Sequence, residues 1–438
     1  MSAFHTQTQD QRLHDVLGIG LGPFNLGLAA LADPVDDLDA VFLEAREDVR
    51  WHPGMLLPDA TLQVPFLADL VTMADPTSRW SFLAFLKATD RLYPFYVRES
   101  FNPLRSEYDD YLTWVAERLP SVRLGQRVVN LERTDEGVYL ATAATGQQWR
   151  ARRIVLGTGT RPVLPPCVRD AGGPAVHTAG YLPAREELQR SRTITVVGSG
   201  QSAAEVYFDL LAASPDHDYD LVWLTRSPRF FSMEYSKLTL ELTSPEYSAY
   251  FQSLPAPTRE QLLREQRSLY KGISGELVDA ISDLHYRLRV QGHGPRTTLV
   301  SNTSLVDARW DGSAYELDLH HDETGESFGL RTDGLVLGTG YRAELPAFLE
   351  GVRDRLHLDD TGRLLADSTF AVDVTGREIF VQNGEEHTHG FVAPDLGMGA
   401  HRSATLVNAL TGRTVYAVEK RVATQTFGVP EHLRREPA

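Results

Sequence analysis

The sequence predicts an α/β protein with two parallel-sheet units and a small helical insert. Three observations carry this. A string reading strand, glycine-rich turn, helix occurs twice, as HDVLGIGLGPFNLGLAAL at 14–31 and as RTITVVGSGQSAAEVYFDLL at 192–211. An apolar run closing in Leu-Gly-Thr-Gly also occurs twice, at 152–162 and 333–343, and the two kinds of string alternate along the chain. Between 232 and 290 the texture turns helical, tyrosine-rich and alternately charged, too long for a loop within either unit.

The first string runs Gly18-x-Gly20, then Gly22 and Pro23. A strand, such a turn and a helix open a Rossmann-like dinucleotide-binding βαβ unit. The glycines let the backbone approach a pyrophosphate, and the helix N-terminus offers amide donors and a positive dipole end. The next apolar run, AVFLEAR, puts Glu44 at the end of the second strand, where a carboxylate accepts hydrogen bonds from ribose hydroxyls. This cradle therefore reads as one for FAD or NAD. The second string runs Gly198-x-Gly200, with Ala203 and Ala204 where close helix–strand packing needs small side chains. YDLVWLTRSPR then puts Arg226 at the position matching Glu44, with Arg229 nearby. A guanidinium there suits a 2′-phosphate, so the second cradle reads as one for NADP.

The alternation of strings implies an FAD domain interrupted by an NADPH domain. The expected boundaries are 1–190 for the first part of the FAD-binding domain and 191–231 for the first part of the NADPH-binding domain. The substrate-binding helical insert takes 232–292, the second NADPH part 293–340 and the FAD-domain return segment 341–438.

Composition narrows the function. Of 438 residues, 42% are apolar and 23% charged, an ordinary globular mix. The net charge of −16 argues against nucleic-acid binding without a local basic patch. The single cysteine, Cys167, rules out an internal disulfide, a CxxC pair and a cysteine-rich zinc site, and fits a reduced, cytoplasmic compartment. The N-terminus has no apolar signal core, and no stretch approaches the roughly 20 apolar residues of a membrane span. His387-x-His389 lacks further clustered ligands, so no metal is expected.

Further strings are distinctive: WHPGMLLPDATLQVPFLADLVTMADPTS at 51–78, FNPLRSEYDDYLTW at 101–114, PPCV at 165–168 and HTHGFVAPDLGMGAHRSA at 387–404. With GPFNLGLA, GSGQSAAE and LGTGYRAELP they resemble the flavin-dependent N-hydroxylating monooxygenases of siderophore biosynthesis. These are the lysine, ornithine and diamine N-monooxygenases, and the chain is most similar to the diamine (putrescine or cadaverine) enzymes. The resemblance implies a homo-oligomer, dimer or tetramer, with FAD, NADPH and amine subsites. It also implies reduction of FAD by NADPH and delivery of oxygen from O2 to a primary amine through a C4a-hydroperoxyflavin. Family positions carry over as follows. Gly18, Gly20, Gly22, Pro23 and Asn25 would cradle the FAD phosphates, with Glu44 on the ribose. Trp51, His52 and Met55 lie in a segment crossing near the flavin, with Leu396 and Gly397 in the C-terminal FAD string. Gln63, near the flavin ring, and Arg105 would be catalytic. Gly198, Gly200, Gln201, Ser202 and Arg226 would hold NADPH.

Departures from the family bear on the amine. Amino-acid-using relatives carry FLKDL, whose lysine meets the substrate carboxylate; here Ala68 takes that place. Two asparagines of ornithine-using relatives are matched by Leu240, just before Glu241-Leu-Thr-Ser-Pro-Glu246, and by Leu269, just before Tyr270. Burying a carboxylate without a partner costs several kcal/mol. Such a pocket disfavours an amino-acid head group and fits putrescine or cadaverine. The distal ammonium would find Glu241, Glu234 or a tyrosine hydroxyl, while Lys237 or Lys271 would restore the missing cation from another direction. The alternatives are an L-lysine or L-ornithine N-monooxygenase and an uncoupled NADPH oxidase.

Overall fold

The computed structural model describes residues 9–294 and 296–434. The first glycine turn joins strand Gln9–Ile19 to helix Pro23–Ala32, and the chain returns in Ala40–Leu43, parallel to the first strand. Strand Gln148–Leu156 lies on the other side of Gln9–Ile19, also parallel. Its first half pairs antiparallel with Tyr139–Ala143, and its last residues pair parallel with Ile379–Val381. The C-terminal segment thus completes the sheet that the N-terminal segment starts. Val122–Arg123 forms the far edge beside Ala40–Leu43, and Val128–Arg133 the other beside Tyr139–Ala143.

A core covers each face of this sheet. One gathers Leu26, Leu28 and Leu31 of helix Pro23–Ala32 with Leu406, Val407 and Leu410 of helix Gly399–Thr411. The other packs Leu17, Ile19 and Trp149 against Leu349 and Val352. Burial on both faces suits parallel strands, which read as continuous apolar runs.

The second sheet is wholly parallel, in the order Thr297–Val300, Asp220–Leu224, Thr193–Val197, Gly334–Leu337 and Val176–His177. Two boundaries differ from expectation. Val176–His177 joins this sheet although it precedes 191. Helix Gly275–Val290, expected within the insert, buries Ile281, Leu284 and Leu288 in the core of the second unit. Its apolar residues at i, i+3 and i+7 form one stripe, and it is the crossover that leads into Thr297–Val300. The rest of the insert is short helices: Lys237–Leu240, Pro245–Ser253 and Ala256–Glu265. Residues 303–332 form a three-stranded antiparallel sheet. The two crossings between units meet where Arg161–Pro162 pairs antiparallel with Tyr341–Arg342. Among the described residues no helix is long and apolar enough to cross a membrane.

Candidate active site

Each glycine turn packs against the Leu-Gly-Thr-Gly string of its own sheet. A methyl on Gly20, at φ +88°, would meet the Gly157 carbonyl oxygen at 2.5 Å. On Gly198, at φ +137°, it would meet the Gly338 carbonyl oxygen at 2.2 Å. Both positions need left-handed backbone and a bare Cα, which only glycine supplies. Beyond the turns the space opens: a methyl on Gly22 would meet nothing within 4 Å. Gly22 and Gly200 cap helices Pro23–Ala32 and Gln201–Ala213, with no side-chain cap and no acidic residue in either first turn. Two helix N-termini thus leave main-chain amides without side-chain caps, the first facing open space and the second with the Lys271 carbonyl 3.7 Å from a methyl on Gly200, which fits a pyrophosphate at each.

Glu44 ends strand Ala40–Leu43, and its Oε2 accepts from the Leu21 amide at 2.8 Å, bracing the first turn. Asn25 differs from expectation. Its side chain is fully buried, donates to the Gly20 carbonyl at 2.8 Å and accepts from Gln382 at 2.8 Å. It ties the turn to the return strand instead of facing a phosphate. In the second unit Arg226 and Arg229 stand exposed past the end of Asp220–Leu224, and the Ser202 hydroxyl accepts from Thr178 at 3.2 Å.

The segment 51–57 crosses between the units. The Trp51 ring meets Tyr108 edge-on at 5.3 Å, and the exposed His52 ring stands 5.8 Å from Tyr341. Met55 is 2% exposed in the core of the second unit, so it packs there and is no cofactor contact. Arg105 is likewise not free to act on a substrate. Its Nη1 and Nη2 each donate to a Glu205 carboxylate oxygen at 2.7 Å. Gln201 is engaged too, donating to Glu205 Oε1 at 2.8 Å and accepting from the Ser274 amide at 2.8 Å.

The insert reaches the first unit at Gln63, whose carbonyl accepts from the Tyr235 hydroxyl at 3.0 Å. The Gln63 side-chain amide nitrogen is buried with no hydrogen-bond partner, an orphan donor that fits a cofactor or substrate acceptor. Asp395 lies close enough to Tyr235 to act on its hydroxyl electrostatically. Loss of water around the Asp395 carboxyl pushes it above its ordinary range, although Gly397 donates to it at 3.0 Å. Leu396 follows, packed against the first core. Ala68 is buried at 7% exposure, in the same segment as Gln63.

The expected ammonium partner Glu241 is committed elsewhere. Its Oε2 accepts from the Gln425 amide at 2.9 Å and from the Gln425 side chain at 3.0 Å. Those bonds hold its carboxyl down, to about 2. Glu246 Oε1 accepts from the amides of Val422 and Ala423 at 2.6 and 2.7 Å. Phe427 meets Tyr247 edge-on at 5.0 Å. The E-x-x-x-P-E string therefore fastens a C-terminal strap over the insert. Leu240 is exposed, and Leu269 packs beside Tyr247 and Phe251. The Tyr270 hydroxyl donates to Glu386 at 2.6 Å, and Lys271 lies 3.5 Å from the same oxygen. Lys271 is thus half-exposed beside a carboxylate of its own, in a solvent-screened pair. Asp395, Tyr235 and Glu386 were missed in the sequence because their partners are far along the chain; the string APDLG was the only local signal.

Two dinucleotide cradles meeting at a small insert define a two-nucleotide oxidoreductase. The family model for L-lysine 6-monooxygenase/L-ornithine 5-monooxygenase matches residues 12–343, and the chain belongs to that family. It is 45% identical over 424 residues to the putrescine N-hydroxylase of Shewanella oneidensis, covering 95% of this chain and 85% of that protein. The FAD-bound structure of the cadaverine monooxygenase of the desferrioxamine pathway from Erwinia amylovora superposes with a TM-score of 0.93 at 46% identity, covering 96% of this chain and 100% of that one. The ornithine N-hydroxylase of Kutzneria sp. 744, with reduced FAD, NADP+ and L-ornithine, gives 0.84 at 28% identity, covering 92% and 99%.

Proposed function

We propose that this protein is an FAD- and NADPH-dependent N-hydroxylase of a primary aliphatic diamine, putrescine or cadaverine, serving hydroxamate siderophore biosynthesis. NADPH, a proton, O2 and the amine enter; the hydroxylamine, water and NADP+ leave. FAD, when bound, supplies the activation of oxygen. The protein binds, orients and excludes water.

The first cradle, at Gly18, Gly20, Gly22 and Pro23, holds the FAD pyrophosphate, with Glu44 toward the ribose. The second, at Gly198, Gly200 and Ser202, holds NADPH, with Arg226 toward the 2′-phosphate. The orphan amide of Gln63 serves the flavin or the reacting amine. Asp395 takes the distal ammonium: burial raises its carboxyl, and an incoming cation favours its ionised form again.

The observation that carries the choice of a diamine is the missing carboxylate clamp. Ala68 is buried where amino-acid-using relatives hold a lysine, and Lys271 is already paired with Glu386. A lysine or ornithine carboxylate would enter such a site without a partner, at a cost of several kcal/mol. Kinship supports a homo-oligomer, dimer or tetramer, which light scattering checks. The lone Cys167 and a biosynthetic role support a cytoplasmic location.

The test separates a coupled monooxygenase from an NADPH oxidase. Purified protein with FAD, NADPH and O2 is given putrescine or cadaverine. Hydroxylamine is expected to match the NADPH consumed. NADPH consumption yielding only peroxide, with or without amine, would overturn the reading.

A further inference from the structure

The Arg105–Glu205 pair lies at the seam of three parts of the molecule. Arg105 opens helix Arg105–Ala116 of the first unit, and its own amide is anchored to the Ala60 carbonyl at 2.8 Å. Glu205 sits in the second turn of helix Gln201–Ala213, whose N-terminus is the second cradle. The side chains are 13% and 7% exposed, and the guanidinium grips the carboxylate with two parallel bonds of 2.7 Å. From Glu205 the chain of bonds continues through Gln201 to the Ser274 amide. Ser274 in turn caps helix Gly275–Val290, accepting from Leu277 at 3.3 Å. At the cradle itself, a methyl added to Gly200 would meet the Lys271 carbonyl oxygen at 3.7 Å.

The Arg105 and Ser274 bonds both end on the first two turns of the helix that would present its N-terminus to NADPH, at Glu205 and Gln201. A bidentate Arg–carboxylate pair fixes orientation as well as distance. A helix so held cannot pivot relative to the first unit without breaking both parallel bonds. We propose that Arg105 and Glu205, through Gln201 and Ser274, form a positioning device that sets the second cradle against the first for hydride delivery. This rests on the FAD and NADPH reading above. Neither residue touches the reacting atoms. Arg105 acts through Glu205, and Glu205 through the helix that carries the cradle.

A misplacement of about 1 Å costs about 100-fold in a transfer step. Glu205→Gln keeps size and removes the charge that the guanidinium needs. With FAD bound, anaerobic reduction by NADPH is expected to slow at least about tenfold. Reoxidation in air of protein reduced with dithionite, which bypasses NADPH, is expected to stay within about twofold. Arg105→Lys keeps the charge but loses the fork, and is expected to show the same split in milder form. A readout free of turnover accompanies these. In FAD-free Glu205→Gln, hydrogen exchange is expected to rise together in peptides 103–112 and 268–278. NADPH reduction at the wild-type rate, or loosening confined to 103–112, would overturn the proposal and leave the pair a local strut. Should Glu205→Gln fail to fold, Arg105→Lys decides by the same two measurements. Wild-type protein that binds FAD but is never reduced by NADPH would instead overturn the proposed function, leaving the exchange result to judge the relay.

Discussion

Gly22→Ala separates folding from cofactor binding at a single methyl. Gly22 has φ −72° and ψ 177°, backbone open to any residue, and a Cβ there meets nothing within 4 Å. Replacing glycine at a compatible angle gains about 0.4–1 kcal/mol through the unfolded chain. Alanine is poorer than glycine as an N-cap by a similar amount, up to about 1 kcal/mol. The FAD-free protein is therefore expected to keep its stability to within about 1 kcal/mol, a shift of a few degrees at most. The methyl stands where the pyrophosphate must approach the helix amides. Losing one charge-assisted hydrogen bond costs about 2 kcal/mol, or about 30-fold in FAD affinity. Gly20→Ala is the control, since its φ of +88° and the Gly157 oxygen at 2.5 Å make it damage the fold itself. Thermal unfolding without FAD, and FAD titration by fluorescence quenching, read the two effects. Wild-type FAD affinity in Gly22→Ala, or unfolding of that FAD-free variant as early as Gly20→Ala, would refute the assignment of this cradle.

Removing the strap's acceptors, in Glu241→Ala with Glu246→Ala, is expected to raise the diamine KM several-fold while anaerobic reduction by NADPH is unchanged, because these bonds hold the insert and not the second cradle; steady-state and rapid-mixing kinetics check this. Asp395→Asn is expected to lower kcat/KM for the diamine about 30-fold, the cost of one hydrogen bond to a charged group. Because burial raises the Asp395 carboxyl, diamine binding should weaken as pH falls through that raised value, and pH profiles of KM should lose this limb in the Asn variant. His389 is 2% exposed, and burial pushes its imidazole down to about 3. The unfolded chain then binds more protons below about pH 6.5, so stability falls as pH drops from there toward 3. Between pH 6.5 and 5 its share is roughly 2 kcal/mol, and denaturant melts of His389→Gln should show a correspondingly shallower pH slope.

Both glycine turns were legible because their requirements are local. Gly20 and Gly198 need angles and clearances that no other residue meets, and the Leu-Gly-Thr-Gly strings they pack against carry the same mark. The interruption of one sheet by another was legible from the order of those strings. Val176–His177 was not, since two residues carry no periodicity and only their pairing with Gly334–Leu337 makes them a strand. Helix Gly275–Val290 was read as helix, but an apolar stripe does not say which core it serves. The site roles failed where a partner is distant. Arg105 looks catalytic until Glu205, 100 residues on, is seen to occupy it. Glu241 looks like an ammonium partner until Gln425, 184 residues on, takes its carboxylate. The strap is bound largely through its main-chain amides, which any sequence provides, and its Gln425 and Phe427 side chains meet partners about 180 residues away. Ala68 was legible as an absence, and its burial gives that absence its energetic weight.

The most direct measurement compares cadaverine with lysine, which differ by one carboxylate, as kcat/KM for hydroxylamine formation by the same FAD-loaded protein. An unpartnered buried carboxylate predicts a preference for cadaverine of at least about 1,000-fold. A ratio near one, or in favour of lysine, would mean that a cation other than a residue at position 68 receives the carboxylate, and the assignment of a diamine would fall.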